Sequence, residues 1–343
     1  MRERASYIGG IIKVYKRLIG QHRGELEKRP RLSVLQYWTQ SAELAIALGS
    51  FDEAFDTLNE VDSAFAHSGY PRELARVSRL LFSSLDWVVE HSKYKHFEVL
   101  FKSFVRTLAH LGEIGAVDEL LDKYERSVPD RGVRYIRYCE LRSYAFWFRS
   151  DFKAALVWGR AGQKLVDQSN VDSTISWPIR HTLALAERDA GLPEVALPIF
   201  LDGRQLAEVI DSKELSDDRG EHHYGNIGRC LQFMEQDDSA LICYQKSALL
   251  IERAVRGETL LNKAYARTWI GEVLMGRDRL DLAYAFLRSA QRLWDQVAPP
   301  KAPAVNLLVK EAERRAGRAF RMRVPEIEKT CLDWILGQTR NIS

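Results

Sequence analysis

The sequence predicts an all-α protein, an α-solenoid of about sixteen helices that pair as antiparallel hairpins. Apolar residues recur at helical spacing along almost the whole chain, whereas the alternating pattern typical of strands is scarce. Most of the ten prolines fall at breaks between the helical stretches, and the connections at these breaks are short. Small residues also recur at intervals of 41 to 44 residues. Such a period is typical of stacked repeats, each of which is one helical hairpin.

The repeat is clearest in two segments of the C-terminal half. Residues 226–244 run NIGRCLQFMEQDDSALICY, and residues 269–287 run WIGEVLMGRDRLDLAYAFL, at an offset of 43. A glycine within a helix is destabilising by roughly 0.5–1 kcal/mol relative to alanine, so its presence here indicates a close approach of two backbones. Gly228 is therefore predicted to face Ala240 where the two helices of a hairpin cross, and Gly271 repeats this arrangement. The alanine marker recurs at Ala155, Ala196, Ala240 and Ala283.

This motif resembles the tetratricopeptide repeat. In that family a large residue is followed by Leu-Gly and Tyr on the first helix, and Ala-x-x-x-Phe lies on the second. The corresponding residues here are Tyr224, Ile227, Gly228, Leu231, Ala240 and Tyr244. The resemblance covers about residues 30–297, is weakest between 60 and 130, and departs from the 34-residue period of the commonest form. It implies a right-handed superhelix, similar to the long-repeat arrays of bacterial signalling proteins and to the sensor arms of large signal-transducing NTPases.

We expect the chain to contain three parts. Residues 1–29 are predicted to form an amphipathic N-terminal capping helix, residues 30–297 the repeat array, and residues 298–343 the C-terminal capping helices. The apolar C-terminal helices can cover the last repeat or dock a partner or a second copy, which leaves a homo-oligomer through these helices open. The N-terminal helix can dock as a cap or lie on a membrane surface.

The composition is that of a soluble protein without a strongly charged tail. The chain is 46% hydrophobic and 28% charged, and its net charge of +3 does not by itself indicate nucleic acid. No stretch approaches eighteen apolar residues, so we expect no membrane span. The four cysteines are far apart in sequence and have apolar neighbours. We therefore expect reduced, buried thiols and a cytoplasmic protein.

The sequence contains no motif that indicates catalysis or a cofactor. The patterns GxxxxGK[ST], GxGxxG, HExxH and GxSxG are absent. His222 and His223 are adjacent, and His91 lies near His96, but neither pair has obvious further ligands. We therefore predict neither an enzyme nor a bound metal or cofactor.

The concave groove of the superhelix is the predicted binding surface, because solenoids commonly bind partners on that face. Groove positions follow from the register of the Ile-Gly pair, since they lie opposite the hairpin crossing. Three of them hold arginine, which binds carboxylate or phosphate with two parallel hydrogen bonds. Aromatic residues there can pack against a peptide side chain. The predicted groove residues are Arg137, Tyr144, Trp147, His181, Arg188, His222, Gly225, Arg229 and Gln232.

These observations favour a non-catalytic scaffold or sensor whose groove recognises a protein or peptide segment, preferably an acidic one. The alternative is a regulator in which a small acidic molecule or a signalling peptide alters the curvature of the array. Residues 134–150 interleave basic and aromatic residues, as sites for single-stranded nucleic acid do. At helical spacing, however, these aromatic residues scatter around the helix axis, so we do not expect nucleic-acid binding.

Overall fold

The computed structural model describes residues 2–128, 130–212, 215, 221–254 and 260–337, and for residues 2–6, 221 and 222 the helical backbone alone. The described residues form eighteen α-helices and no strand, which confirms the predicted all-α solenoid. The first nine helices are α1 Arg2–His22, α2 Leu32–Ala47, α3 Phe51–Ser68, α4 Pro71–Ser83, α5 Trp87–Glu90, α6 Phe97–Leu111, α7 Ile114–Arg126, α8 Val133–Phe148 and α9 Phe152–Gln168.

The second nine helices complete the array and its C-terminal end. They are α10 Ser173–Asp189, α11 Pro193–Leu201, α12 Leu206–Asp211, α13 Glu221–Phe233, α14 Asp237–Arg253, α15 Leu260–Gly276, α16 Leu280–Val297, α17 Ala302–Ala316 and α18 Val324–Ile335. The total exceeds the predicted sixteen because α5 and α12 have only four and six residues. Helices this short contain no apolar periodicity that a sequence could reveal.

Seven hairpin turns share one geometry. In the turn after α13, the amide of Gln236 donates to the carbonyl of Leu231 at 2.9 Å, and Glu235 between them has a left-handed φ of 60°. This six-to-one bond is the Schellman motif that ends many helices. The left-handed residues are Gly49, Gly112, Ser150, Gly191, Glu235, Asp278 and Gly317. From Gly112 onward they recur every 38 to 44 residues, which is the hairpin repeat.

Glu235 and Gly191 occupy equivalent turn positions and allow a reciprocal test. Glu235 is exposed, and a side chain added at Gly191 would meet no atom within 4 Å. Because a left-handed residue with a side chain is strained, Glu235→Gly is expected to stabilise the protein by about 1 kcal/mol. Gly191→Glu is expected to destabilise it by a similar amount. Urea unfolding of both variants measures these shifts, and shifts of the same sign would contradict the prediction.

The second hairpin is irregular. Its first helix, α4, packs against α2 and α6, but its second helix is reduced to the single turn α5. As a result α3 contacts α6 directly. This interruption lies where the resemblance to the tetratricopeptide repeat is weakest.

The structure confirms the predicted close approach at the hairpin crossings. A Cβ atom added at Gly228 would lie 2.7 Å from the Tyr244 ring and 3.1 Å from the carbonyl oxygen of Ala240. At Gly271 the corresponding distances are 2.7 Å to Leu287 and 3.4 Å to the carbonyl oxygen of Ala283. Neither crossing has room for a side chain.

Both ends of the array are covered by helices. At the N-terminus α1 packs on α2 and buries Ile12 and Ile19. At the C-terminus α17 packs on α16, and α18 lies across α14 and α16. The amide group of Gln245 on α14 donates to the carbonyl oxygens of Trp334 and Ile335 at 3.3 and 3.1 Å, which fixes the end of α18. Among the described residues, no helix combines the length and the apolar character that crossing a bilayer requires.

The array curls so tightly that its last hairpin contacts the first ones. We call this contact the seam. It joins the ends of α3, α6 and α8 to the start of α15, the end of α16 and the turn after α16. Gln296 donates to the carbonyl oxygen of Gly69 at 3.4 Å, and the Pro300 ring packs against Gly112. The ammonium group of Lys301 lies 4.8 Å above the centre of the Phe148 ring.

Candidate functional site

The curled array encloses a central cavity of about 490 Å³. Its wall is formed by the end of α3, by the inner helices α4, α6, α8, α10, α13 and α15, and by single residues of α14 and α16. The predicted concave groove is thus a partly enclosed chamber rather than an open channel. Five of the nine predicted groove residues line it, namely Tyr144, Trp147, His181, Arg188 and Gly225.

Two cations on α6 form a basic pole at one side of the cavity. Lys102 and Arg106 lie one helical turn apart, and both approach Glu140 on α8. The Lys102 ammonium is 3.7 Å from Glu140 Oε2, and Arg106 Nη2 donates to Glu140 Oε1. Thr182 donates to the same Oε1 at 3.1 Å. One carboxylate therefore serves two cations, which leaves an excess positive charge.

The basic pole is partly removed from solvent, since the side chains of Lys102 and Arg106 are 35% and 30% exposed. Burial raises the pKa of Glu140, but Arg106 and Lys102 outweigh this effect and hold the pKa below its ordinary value. Burial also lowers the pKa of Lys102, and Glu140 opposes that change. The Nε atom of Arg106 is buried and has no hydrogen-bond partner within the described part of the chain. The Arg106 guanidinium therefore has one N–H group that no described atom accepts from.

Tyr144 and His110 continue this surface. The Arg106 guanidinium lies 4.1 Å above the centre of the Tyr144 ring, and the Tyr144 hydroxyl is 2.7 Å from His110 Nε2. Burial, together with the nearby charges of Arg106 and Lys301, lowers the pKa of His110 to about 3. His110 is therefore neutral at physiological pH and adds no charge to the pole.

Arg188 lines the cavity but is fully engaged within the chain. Its Nε and Nη2 atoms donate to the two carboxylate oxygens of Asp189 at 2.7 and 2.8 Å, and its Nη1 donates to Asn226 at 2.6 Å. Trp147 donates to the same carboxylate at 2.7 Å. Only 1% of the Arg188 side chain is exposed. The two parallel hydrogen bonds predicted for a ligand are thus made to Asp189.

Arg229 and Gln232 lie outside the cavity lining and bond to each other and to other residues of the array. Arg229 donates to Glu272 on α15 and to Gln232 at 2.8 Å. The Tyr244 hydroxyl donates to the same Gln232 oxygen at 2.7 Å. Arg137 also lies outside the lining, 3.7 Å from Glu98.

The remaining two predicted positions, Gly225 and His222, lie at the start of α13. A Cβ atom added at Gly225 would lie 3.3 Å from Ser247 Oγ and 3.3 Å from the Trp269 ring. Gly225 therefore lines the cavity beside Ser247 and Trp269, which leave little room for a side chain at this position. The side chain of His222 lies outside the described residues.

Aromatic side chains form another part of the wall, which we call the aromatic wall. Trp177 on α10 and Tyr265 and Trp269 on α15 line the cavity, and the Tyr265 ring centre is 6.3 Å from that of Trp147. The sequence did not predict Trp177 and Trp269 as site residues, nor Lys102 and Arg106. A search of each helix for cations one turn apart would have found Lys102 and Arg106 on α6. The register of α6 could not be counted from the repeat, because the second hairpin is interrupted.

The described residues contain no group of three or more histidine, cysteine or acidic side chains that could hold a metal ion. All four cysteines are buried free thiols. Burial raises the pKa of Cys139, Cys230 and Cys243 to about 12, so these thiols are protonated at physiological pH. They pack within the array, as predicted.

Comparisons with known proteins bear on the fold. No protein-family model matches the chain, and no curated protein matches it. Among solved structures, the chain is similar to a tetratricopeptide repeat protein from Parabacteroides merdae ATCC 43184. The alignment has a TM-score of 0.51 and 13% identity, and it covers 88% of this chain and 99% of that one. The chain therefore has the fold of a tetratricopeptide-like α-solenoid.

Proposed function

We propose that the chain is a non-catalytic binding module whose central cavity takes a short acidic segment of a peptide or protein partner. The observation behind this proposal is the charge of the cavity wall. Its charged members among the described residues are Lys102, Arg106 and Arg188, and none is Asp or Glu. A wall of one sign attracts a ligand of the opposite sign.

The basic pole on α6 offers the strongest attraction. Arg188 is neutralised by Asp189, whereas Lys102 and Arg106 share Glu140. An incoming carboxylate can accept from the Lys102 ammonium, which is 35% exposed and makes only a 3.7 Å contact with Glu140. Charge-assisted hydrogen bonds of this kind are stronger where water is excluded.

The size and the aromatic wall define the rest of the ligand. The volume of about 490 Å³ falls within the usual range of about 300–1,000 Å³ for ligand sites. It accommodates a few residues rather than a folded domain. Trp177, Tyr265 and Trp269 supply apolar surface for a neighbouring side chain. The expected ligand is therefore a short segment with both acidic and apolar residues.

Lys102→Met tests the basic pole with little disturbance, because Met keeps the apolar stem and Lys102 makes only a long contact with Glu140. Octapeptides selected from a random display library on the wild-type protein provide the probes. We expect them to be rich in Asp and Glu, and their affinity for Lys102→Met to fall about tenfold or more, since a hydrogen bond to a charged group contributes about 1.5–3 kcal/mol. Fluorescence polarisation of labelled peptides measures the change.

Lys310→Met is the matched control, because Lys310 is exposed on α17 and is not part of the cavity lining. It removes the same charge and is expected to leave peptide affinity unchanged. Selected peptides without acidic residues, or equal binding by wild type and Lys102→Met, would refute the proposed function.

A further inference from the structure

The seam lies directly on the wall of the cavity. Gly69 at the end of α3 and Val297 at the end of α16 both line the chamber. Lys102 and Arg106 belong to the first side of the seam, and Tyr265 belongs to the hairpin on the second side. A ligand that reaches from the basic pole to the aromatic wall therefore contacts both sides.

The contacts across the seam are slight compared with those between neighbouring hairpins. Successive inner helices are joined by short polar bonds, such as Arg106 to Glu140 and Arg229 to Glu272. Among the described residues, the seam instead has one long hydrogen bond of 3.4 Å, between Gln296 and Gly69. It also has the packing of Leu260 against Gly69, of Pro300 against Gly112 and of Lys301 over Phe148. The polar part of the seam is therefore weak, because a single neutral hydrogen bond contributes little net stability.

Two glycines let the sides of the seam meet. A Cβ atom added at Gly69 would lie 2.4 Å from Gln296 Nε2, and one added at Gly112 would lie 2.6 Å from Pro300 Cγ. The backbone geometry alone does not demand glycine at Gly112, because Ser150 adopts the same left-handed conformation at the equivalent turn. The close contact with the Pro300 ring is what leaves room only for glycine at position 112.

We propose that the seam is a reversible closure of the array and that a ligand bound in the cavity holds it shut. The second half of this proposal rests on the proposed function of the cavity, whereas the first half does not. Because a bound ligand bridges the basic pole and the aromatic wall, it favours the closed arrangement by its differential contacts. Occupancy of the cavity would thereby set the curvature of the whole array.

A disulfide across the seam provides the test. An ideal Cβ at Gly112 lies 3.7 Å from Pro300 Cβ, within the range of about 3.5–4.5 Å that disulfides require. In the double variant Gly112→Cys/Pro300→Cys, oxidation locks the seam, and reduction releases it in the same chain. The native cysteines are buried and do not compete. Gly112→Gln has the opposite purpose, because the added side chain acts as a wedge that pushes the two sides of the seam apart. Its control is Gly191→Gln, which has the same left-handed strain but no neighbouring atom within 4 Å of the added Cβ.

Small-angle X-ray scattering without ligand measures the closure itself. We expect the reduced double variant to have a larger mean radius of gyration than the oxidised one, and Gly112→Gln to exceed Gly191→Gln. Identical scattering from all four proteins would show a permanent contact and overturn the proposal.

Binding of 8-anilinonaphthalene-1-sulfonate, an aromatic anion, measures the coupling. If Gly112→Gln lowers the closed fraction to about one tenth, its affinity for the dye falls about tenfold relative to that of Gly191→Gln. Oxidation of the double variant is expected to raise the dye affinity relative to that of the reduced form. Equal affinities despite different scattering would overturn the coupling alone. Dye binding that does not respond to Lys102→Met would count against the proposed function, while the scattering still decides the closure.

Discussion

Arg188→Met is expected to destabilise the protein by about 3–5 kcal/mol, because it leaves the Asp189 carboxylate without its main partner. The two side chains are 1% and 16% exposed, so water cannot replace the lost pair. Asn226 would lose its bond from Nη1 as well. Urea unfolding at pH 7 measures the loss. The matched control is Arg180→Met on the same helix, whose guanidinium is half exposed and 3.9 Å from Asp167. A change of at most about 1 kcal/mol is expected there.

The pH dependence of this loss identifies its cause. In the wild type, burial raises the pKa of Asp189, but Arg188 outweighs burial and holds the pKa below its ordinary value. Without Arg188, burial would raise the folded-state pKa above the unfolded one. The ionic part of the deficit is then full at neutral pH and shrinks as the pH falls and Asp189 becomes protonated. A deficit that stayed constant from pH 7 to pH 4 would mean that lost packing, rather than an unpaired charge, is responsible.

Gly228→Val is expected to destabilise the protein by about 1–3 kcal/mol through overpacking at the hairpin crossing. The Tyr244 ring on one side can shift, but the Ala240 carbonyl belongs to the backbone of α14 and cannot. The helix preference of valine over glycine offsets only part of this loss. Thermal unfolding followed by circular dichroism measures the change.

Gly115→Val supplies the control for Gly228→Val. Gly115 lies within α7, and a Cβ atom added there meets nothing within 4 Å. This substitution is expected to be neutral or slightly stabilising. An unchanged melting temperature for Gly228→Val, beside a normal response of the control, would show that the repeat register is misplaced.

The sequence was informative about the array because its repeat is local. The crossing of Gly228 with Ala240 lies within one hairpin, so both partners appear in one short segment. The partner of Arg188 is different, since residues adjacent in a helix do not normally face each other. Asp189 is the last residue of α10, yet Nε and Nη2 of Arg188 reach both of its carboxylate oxygens. No spacing rule predicts that pair.

The cavity was predictable only in part for a related reason. Groove positions could be counted wherever the register was clear, and of these Tyr144, Trp147 and His181 line the cavity. The basic pole on α6 follows the irregular second hairpin, so its register could not be extended from the neighbours. The seam depends on the summed curvature of all hairpins, and each hairpin contributes too small a rotation for the sequence to show.

The seam also distinguishes this chain from an open solenoid in how it can assemble. In an open array each hairpin contacts only its neighbours, so folding can begin anywhere and spread step by step. The hydrogen bond from Gln296 to Gly69 joins residues 227 positions apart. A contact of that span stabilises the chain only after a long loop has been closed, and closing that loop lowers the chain entropy. The entropy loss is avoided when the intervening hairpins have already stacked. The seam is therefore a contact that the finished array makes, rather than one that guides its formation.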